Sequence, residues 1–235
     1  MDISNIKISG FMKTTLLDFP GKVAATVFLP GCNMRCPFCH NSDLVLGISE
    51  PLDPSEVIAV IEKRKGILDG VCITGGEPTL HGDALLFLAS RIKELGLLLK
   101  LDTNGTRPDM IKRMTEASLV DYIAMDIKSR ITPQAYRQAC GTEVDTDKIL
   151  ESVAILNSGD VDNEFRTTLV RELHTAEDVE EIAKSLSGGR RYFLQHFVDS
   201  GNLIAPDGLH EISAEETERM VALAQKYIPT QARGI

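Results

Sequence analysis

The sequence contains no apolar run long enough to cross a membrane, which takes roughly 18 consecutive apolar residues. The longest clean run, Ala84 to Ala89, reads as one face of a helix. The first residues, Met1-Asp2-Ile3-Ser4-Asn5, show no basic stretch followed by an apolar one, so no signal peptide is visible. Repeats and low-complexity tracts are absent. Positive charge is scarce: 25 Lys and Arg stand against 34 Asp and Glu, for a net charge of −9. That sign is wrong for neutralising a phosphate backbone and excludes general nucleic-acid binding. The two small basic clusters, Lys63-Arg64-Lys65 and Arg190-Arg191, read as a helix end and a strand start. There is no disulfide framework either. The five cysteines are odd in number, and three of them, Cys32, Cys36 and Cys39, fall within eight residues. In a reducing compartment such a cluster binds metal more often than it cross-links. The expectation is a cytoplasmic protein with neither membrane nor nucleic-acid partners.

What is present is ordinary for a globular chain: 235 residues, 43% hydrophobic and 25% charged. Short apolar runs alternate with amphipathic ones. Val23 to Leu29 reads as a strand. A helix from Pro54 follows, with Asp53 as N-cap, Glu56 placed to reach back to it, and Gly66 to close it. Strands are then predicted at 70–74, 97–103, 122–128, 164–170 and 192–198. The intervening helices fall at 83–95, 108–116, 133–139, 147–157, 176–186 and 214–227. Val71-Cys72-Ile73 and Leu97-Leu98-Leu99 are apolar on both faces, as parallel strands covered by helices require. Six strand–helix units define an α/β protein. Eight would close a full barrel; six predict a partial (β/α)6 barrel of parallel strands with outer helices, although a doubly wound sheet has the same string.

In such folds the chemistry gathers on the loops after the strands. Those loops carry Gly31-Cys32-Asn33-Met34-Arg35-Cys36-Pro37-Phe38-Cys39-His40, then Gly75-Gly76-Glu77-Pro78, then Asp102-Thr103-Asn104-Gly105, then Asp126-Ile127-Lys128. Three thiolates select zinc or an iron–sulfur cluster. Zinc would take His40 as its fourth ligand in a closed tetrahedral site, but His40 directly follows Cys39 and both would have to turn onto one ion. A 4Fe-4S cluster held by only three cysteines leaves one iron open for a substrate. A zinc-stabilised interaction protein on the same fold therefore stands as the alternative class.

The C-x3-C-x-aromatic-C spacing, with Phe38 as the aromatic, and the following Gly75-Gly76-Glu77 resemble the radical S-adenosylmethionine (SAM) enzymes. Asp18-Phe19-Pro20-Gly21, Cys39-His40-Asn41 and Asp102-Thr103-Asn104-Gly105 narrow the resemblance to the glycyl-radical activating enzymes. Thr14 to Lys22 is most similar to the branch that activates anaerobic ribonucleoside-triphosphate reductase. The likeness covers nearly the whole chain, strongest from Thr14 to Lys128, and implies a single domain over 1–235 with its cluster loop at 31–41. It implies a 4Fe-4S cluster on Cys32, Cys36 and Cys39, SAM on the open iron, and a radical passed to a glycine of a partner enzyme. Phe38 and His40 are expected at the adenine, Gly75, Gly76 and Glu77 at the methionine amino group, Asp102 at the ribose or methionyl end, and Lys128 at the carboxylate. Asp102, Thr103 and Asp126 are expected to hold a monovalent cation. Arg166 and His196 reach the same mouth if the strand register is as read. No further cysteine group is present, so electrons are expected from an external donor such as flavodoxin or ferredoxin. Activation of pyruvate formate-lyase, or a 7-carboxy-7-deazaguanine synthase-like reaction on a small molecule, are the competing roles.

Taken one at a time, the same residues have plainer readings. Glu77 can cap the segment after it, and Asn104-Gly105 can serve a turn. Arg166 and His196 alternate with apolar neighbours and suit a rim or a satisfied core. Cys72 reads as a small core residue, Cys140 as a helix end before Gly141, His81 and His174 as loop residues, and Met34 as packing within the cluster loop.

Overall fold

A computed structural model describes residues 6–159, 161–199 and 201–234. The amino-terminal residues in which no signal peptide was visible lie outside the described residues. In chain order the strands are β1 (Gly10–Thr15), β2 (Ala24–Leu29), β3 (Gly70–Gly75), β4 (Leu98–Thr103), β5 (Tyr122–Asp126), β6 (Asp162–Leu169), β7 (Tyr192–His196) and β8 (Thr230–Arg233). The helices are α1 (Ser42–Leu46), α2 (Pro54–Arg64), α3 (Asp83–Glu94), α4 (Pro108–Glu116), α5 (Pro133–Cys140), α6 (Thr146–Ser158), α7 (Ala176–Ser185) and α8 (Ala214–Ala224). The alternation predicted for an α/β protein is present, with each of the six expected strands within two residues of its predicted start. No helix among the described residues is long and apolar enough to cross a membrane.

Contacts divide the chain into two compact units that interleave in sequence. The first holds residues up to 33, 43–103 and 109–123; the second holds 34–42, 104–108 and 124 onward. The boundaries fall inside motif-bearing loops rather than at a linker.

In the first unit β2 pairs in parallel with β3 and β3 with β4, in the register Thr26↔Cys72↔Lys100. The start of β5 joins β4, where Asp121 N–H donates to Leu99 O at 2.8 Å. The strands are parallel because each is followed by a helix that returns the chain to the same end. Helix α3 shows why these residues pack: Leu85, Leu88, Ala89 and Ile92 recur at helical spacing and are fully buried. Helix α2 starts as predicted at Asp53, whose carboxylate accepts Ser55 N–H at 2.8 Å. It ends differently. Lys65 closes it in a right-handed conformation, and Gly66 does not adopt a positive φ.

In the second unit β6, β7 and β8 run parallel, with Thr167↔Leu194↔Ala232 in register. The end of β5 joins β6 through Ile127 N–H to Arg166 O at 2.8 Å. Helix α7 starts at a reciprocal cap, Thr175 bonding Asp178 N–H and Asp178 bonding Thr175 N–H. Ser213 caps α8.

Three elements escaped the sequence reading. Strand β1 lies antiparallel on β2 and carries no period-2 alternation. Helix α1 has only five residues. Strand β8, Thr-Gln-Ala-Arg, is polar and is held through its main chain. A 3-10 turn also follows the Gly-Gly-Glu motif at Pro78–His81.

Candidate active site

In the first unit the loops after β2 and β3 are zipped together by backbone. Gly76 N–H donates to Leu29 O at 2.9 Å and Glu77 N–H to Gly31 O at 2.8 Å. This approach is open only to glycine. A Cβ on Gly75, which sits at φ +130°, would lie 2.2 Å from Leu29 O; one on Gly76 would lie 2.0 Å from Gly31 O. Gly31 N–H bonds Leu44 O at 2.7 Å, and the His81 ring Nε2 meets Pro30 O at 2.9 Å. The chain that carries Cys32 is thus fastened on both sides.

Glu77 is fully buried. Its Oε1 accepts Thr79 N–H at 3.0 Å, the Thr79 hydroxyl, and the Thr103 hydroxyl at 2.8 Å. The carboxylate therefore caps the Pro78–His81 turn and ties it to the end of β4. That is the plainer of its two sequence readings. Two residues along β4 share one face: Asp102, partly exposed, and Lys100, 2% exposed at its side chain. Lys100 Nζ is hydrogen-bonded to Asp102 Oδ1 and reaches Cys72 Sγ at 3.8 Å. The sequence reading overlooked Lys100. Its signal was a lone charge in the run Leu97-Leu98-Leu99-Lys100-Leu101, two residues before an aspartate.

In the second unit Cys36 and Cys39 flank a tight turn, with Cys39 N–H donating to Cys36 O at 3.1 Å. Phe38 and Met34 are buried. His40 faces Phe197, ring centroids 6.1 Å apart, and burial lowers its pKa, so the ring stays neutral. Pro37 O accepts Ala205 N–H at 3.0 Å. The end of α5 meets this loop. Arg35 N–H donates to Cys140 O at 2.7 Å, and a Cβ on Gly141, which has the left-handed φ +65° of a helix cap, would lie 2.5 Å from Arg35 O. The Cys140 thiol, read as a plain helix end, bonds the Cys36 thiol. That bond, with help from Lys128 and against burial, lowers the Cys36 pKa to about 7. Burial pushes the Cys39 thiol up. None of the five cysteines is in a disulfide.

The ends of β5 and β6 form a charge cluster. Asp126 Oδ2 accepts Lys128 Nζ at 2.9 Å and Asp126 Oδ1 accepts Arg166 Nε at 2.8 Å. Burial alone would raise the Asp126 pKa; the two cations outweigh it and bring it down to about 2. Burial would lower that of Lys128, but Asp126 outweighs it and the ammonium is held protonated. Arg166 is therefore a member of this cluster. His196, at the end of β7, turns instead to Glu211, Nε2 to Oε2 at 3.0 Å. Asn104 and Gly105 form a turn: Asn104 Oδ1 accepts Thr106 N–H at 3.1 Å, and Gly105 sits at φ +76° against Met125. His174, read as a loop residue, is buried and bridges Lys128 O at 2.9 Å and Val170 N–H at 3.0 Å.

Loops zipped through glycines, a short cysteine-bearing stretch and charged strand ends are the places where an α/β enzyme carries its chemistry. The radical SAM superfamily profile matches residues 26–186. A protein of Methanocaldococcus jannaschii, provisionally named a glycyl-radical enzyme activating enzyme, is 36% identical over 193 residues, 81% of this chain and 79% of its own. The pyruvate formate-lyase-activating enzyme of Streptococcus mutans is 29% identical over 150 residues, 57% of this chain and 56% of its own. The crystal structure of Escherichia coli coproporphyrinogen III oxidase, HemN, titled a radical SAM enzyme, superposes with a TM-score of 0.59 at 13% identity. It covers 89% of this chain, which spans 54% of HemN. The likeness to HemN shows the fold. The chain belongs to the radical SAM superfamily, together with the glycyl-radical enzyme activating enzymes. That family implies a 4Fe-4S cluster and SAM.

Proposed function

We propose that this chain is a cytoplasmic activase that cleaves SAM reductively and places a glycyl radical on anaerobic ribonucleoside-triphosphate reductase, drawing its electron from a flavodoxin or ferredoxin. The observation that carries the reading is the donor set: three cysteines outside any disulfide on the stretch that follows β2, whose start is pinned by the Gly75-Gly76 approach. Three thiols and no fourth in that stretch fit a cluster that leaves one iron for a substrate.

Cys32, Cys36 and Cys39 would hold the cluster. When bound, the cluster and SAM supply one-electron chemistry that ends in a carbon radical able to remove a glycine Cα hydrogen. The chain's part is placement and electrostatics. The N–H groups of Gly76 and Glu77 are already turned to Leu29 and Gly31, so a contact from this loop to the methionine ammonium would have to come from a carbonyl, the acceptor that donor needs. Lys128, held protonated beside Asp126, suits the methionine carboxylate, and Arg166 fixes Asp126 from its other oxygen. Phe38 and a neutral His40 suit the adenine. Asp102 suits the ribose or methionyl end, with its charge steadied by Lys100. Thr103 and Glu77 act on the loop rather than on the ligand. His196, paired with Glu211, drops out of this reading.

The choice of reductase rests on the resemblance of Thr14 to Lys22. The pyruvate formate-lyase-activating relative favours a second reading in which only the partner differs. Anaerobic incubation with SAM, a reductant and each candidate partner, read by electron paramagnetic resonance, tests both. A glycyl-radical doublet on the reductase alone is the expected result. A doublet only on pyruvate formate-lyase overturns the partner; turnover of a small molecule with no doublet overturns the activase reading.

A further inference from the structure

We infer that the Lys100 ammonium is a built-in replacement for the monovalent cation expected at Asp102, so that this chain binds SAM without one. The inference rests on the SAM reading above. Each residue expected to ligate a cation is already engaged by the protein. Asp102 Oδ1 is paired with Lys100 Nζ, and the Thr103 hydroxyl donates to Glu77. In the second unit both oxygens of Asp126 are taken, by Lys128 and by Arg166. The carboxylate that heads the expected set, Asp102, thus already faces a fixed positive charge.

Lys100 is built for the role. It lies in the Thr26–Cys72–Lys100 row of the parallel sheet, where its neighbours are small: Thr26 and Cys72, both fully buried. A lysine stem needs that space to rise along the strand to the carboxylate two residues on. Thr26 turns its hydroxyl to Asp18. Cys72 offers only a weak sulfur contact at 3.8 Å, so Asp102 is the strong partner of the ammonium among the contacts described. A charge buried to this degree persists only with such a partner. Conversely, a fixed ammonium on Asp102 removes the electrostatic reason for recruiting a diffusible ion.

SAM affinity measured by equilibrium binding to the reconstituted protein, with potassium, sodium or tetramethylammonium as the only monovalent cation at one ionic strength, tests this. Wild type should bind SAM equally in all three. Lys100→Met should weaken binding in tetramethylammonium by roughly ten- to hundredfold, the scale of one charge-assisted contact, and regain it with potassium or ammonium. The thermal midpoint of Lys100→Met, before any cluster is added, should rise with potassium while that of wild type does not. Potassium-strengthened binding in wild type would overturn the inference with no variant needed. So would a Lys100→Met protein that binds SAM as wild type does in tetramethylammonium. Wild type that binds no SAM in any salt would strike the SAM reading itself, and the inference with it.

Discussion

At the scale of single residues, cysteines alike in sequence separate by what surrounds them. Cys72 is fully buried in the sheet beside Lys100, whereas Cys32, Cys36 and Cys39 share one loop. Alanine at any of these three should leave anaerobically reconstituted protein without a stable complement of iron and sulfide. Cys72→Ala should keep both, at a stability cost of about 1 kcal/mol for a lost buried sulfur. Elemental analysis checks the division, and full iron retention in a triple alanine variant would refute it. Asp102 needs a subtler test, because Asp102→Ala also strands the buried Lys100 ammonium, a loss of order 3–5 kcal/mol for a broken buried pair. Asp102→Asn keeps a hydrogen-bond acceptor for Lys100. It should weaken SAM binding by roughly 1.5–3 kcal/mol while leaving the iron content unchanged. Equal SAM affinity in that variant would remove Asp102 from the site.

At the scale of elements, the six strand–helix units were legible because their signals are local: helical spacing in α3, the Asp53 and Thr175 caps, and two-faced apolar strands such as β3. Strands β1 and β8 were not, because main-chain pairing with a neighbour holds them and their side chains carry no period. The candidate site was legible as motifs but not as contacts. That Glu77 is tied to Thr103, and that Cys140 touches a residue of the cysteine motif, depends on how residues far apart in sequence meet, whereas the Lys100 contact to Asp102 lies along one strand. The Gly-Gly turn offers the clearest test at this level. Gly76→Ala drives a methyl into Gly31 O, so the two loops must part and both backbone bonds stretch. A loss of about 3 kcal/mol or more is expected, together with loss of the iron. Gly66→Ala is the control: nothing lies within 4 Å of the added carbon and φ is not positive. It should be neutral or stabilising by up to ~1 kcal/mol. Urea denaturation of the two variants compares them directly.

At the scale of the whole molecule, burial of histidine sets the response to acid. His174 accepts Val170 N–H at Nδ1 and donates from Nε2 to Lys128 O, so the neutral ring satisfies both neighbours. A proton on Nδ1 would displace Val170 N–H and leave the ring only the longer contact to Val170 O, at 3.3 Å. Burial is the leading cause of its lowered pKa, and it lowers those of His40 and His81 as well. The folded values lie below the ordinary 6.5, so the unfolded chain binds more protons as pH falls through that value. The stability these rings contribute is complete above 6.5 and is lost progressively below it. Each ring adds a slope of at most about 1.4 kcal/mol per pH unit in that window. Asp126 adds a second, lower window. Its folded pKa of about 2 lies below the ordinary 3.8, so its contribution of ~2 kcal/mol disappears only between about pH 4 and pH 2. Unfolding free energies from urea titrations should therefore fall from their value near pH 7 between pH 6.5 and 5, and fall again near pH 3. His174→Gln should lower the plateau by about 2 kcal/mol, because Val170 N–H or Lys128 O loses a well-placed partner, and should flatten the fall between pH 6.5 and 5. A His174→Gln protein with the wild-type slope in that window would show that His174 titrates alike folded and unfolded, and that the bridge to Lys128 O does not hold its ring neutral.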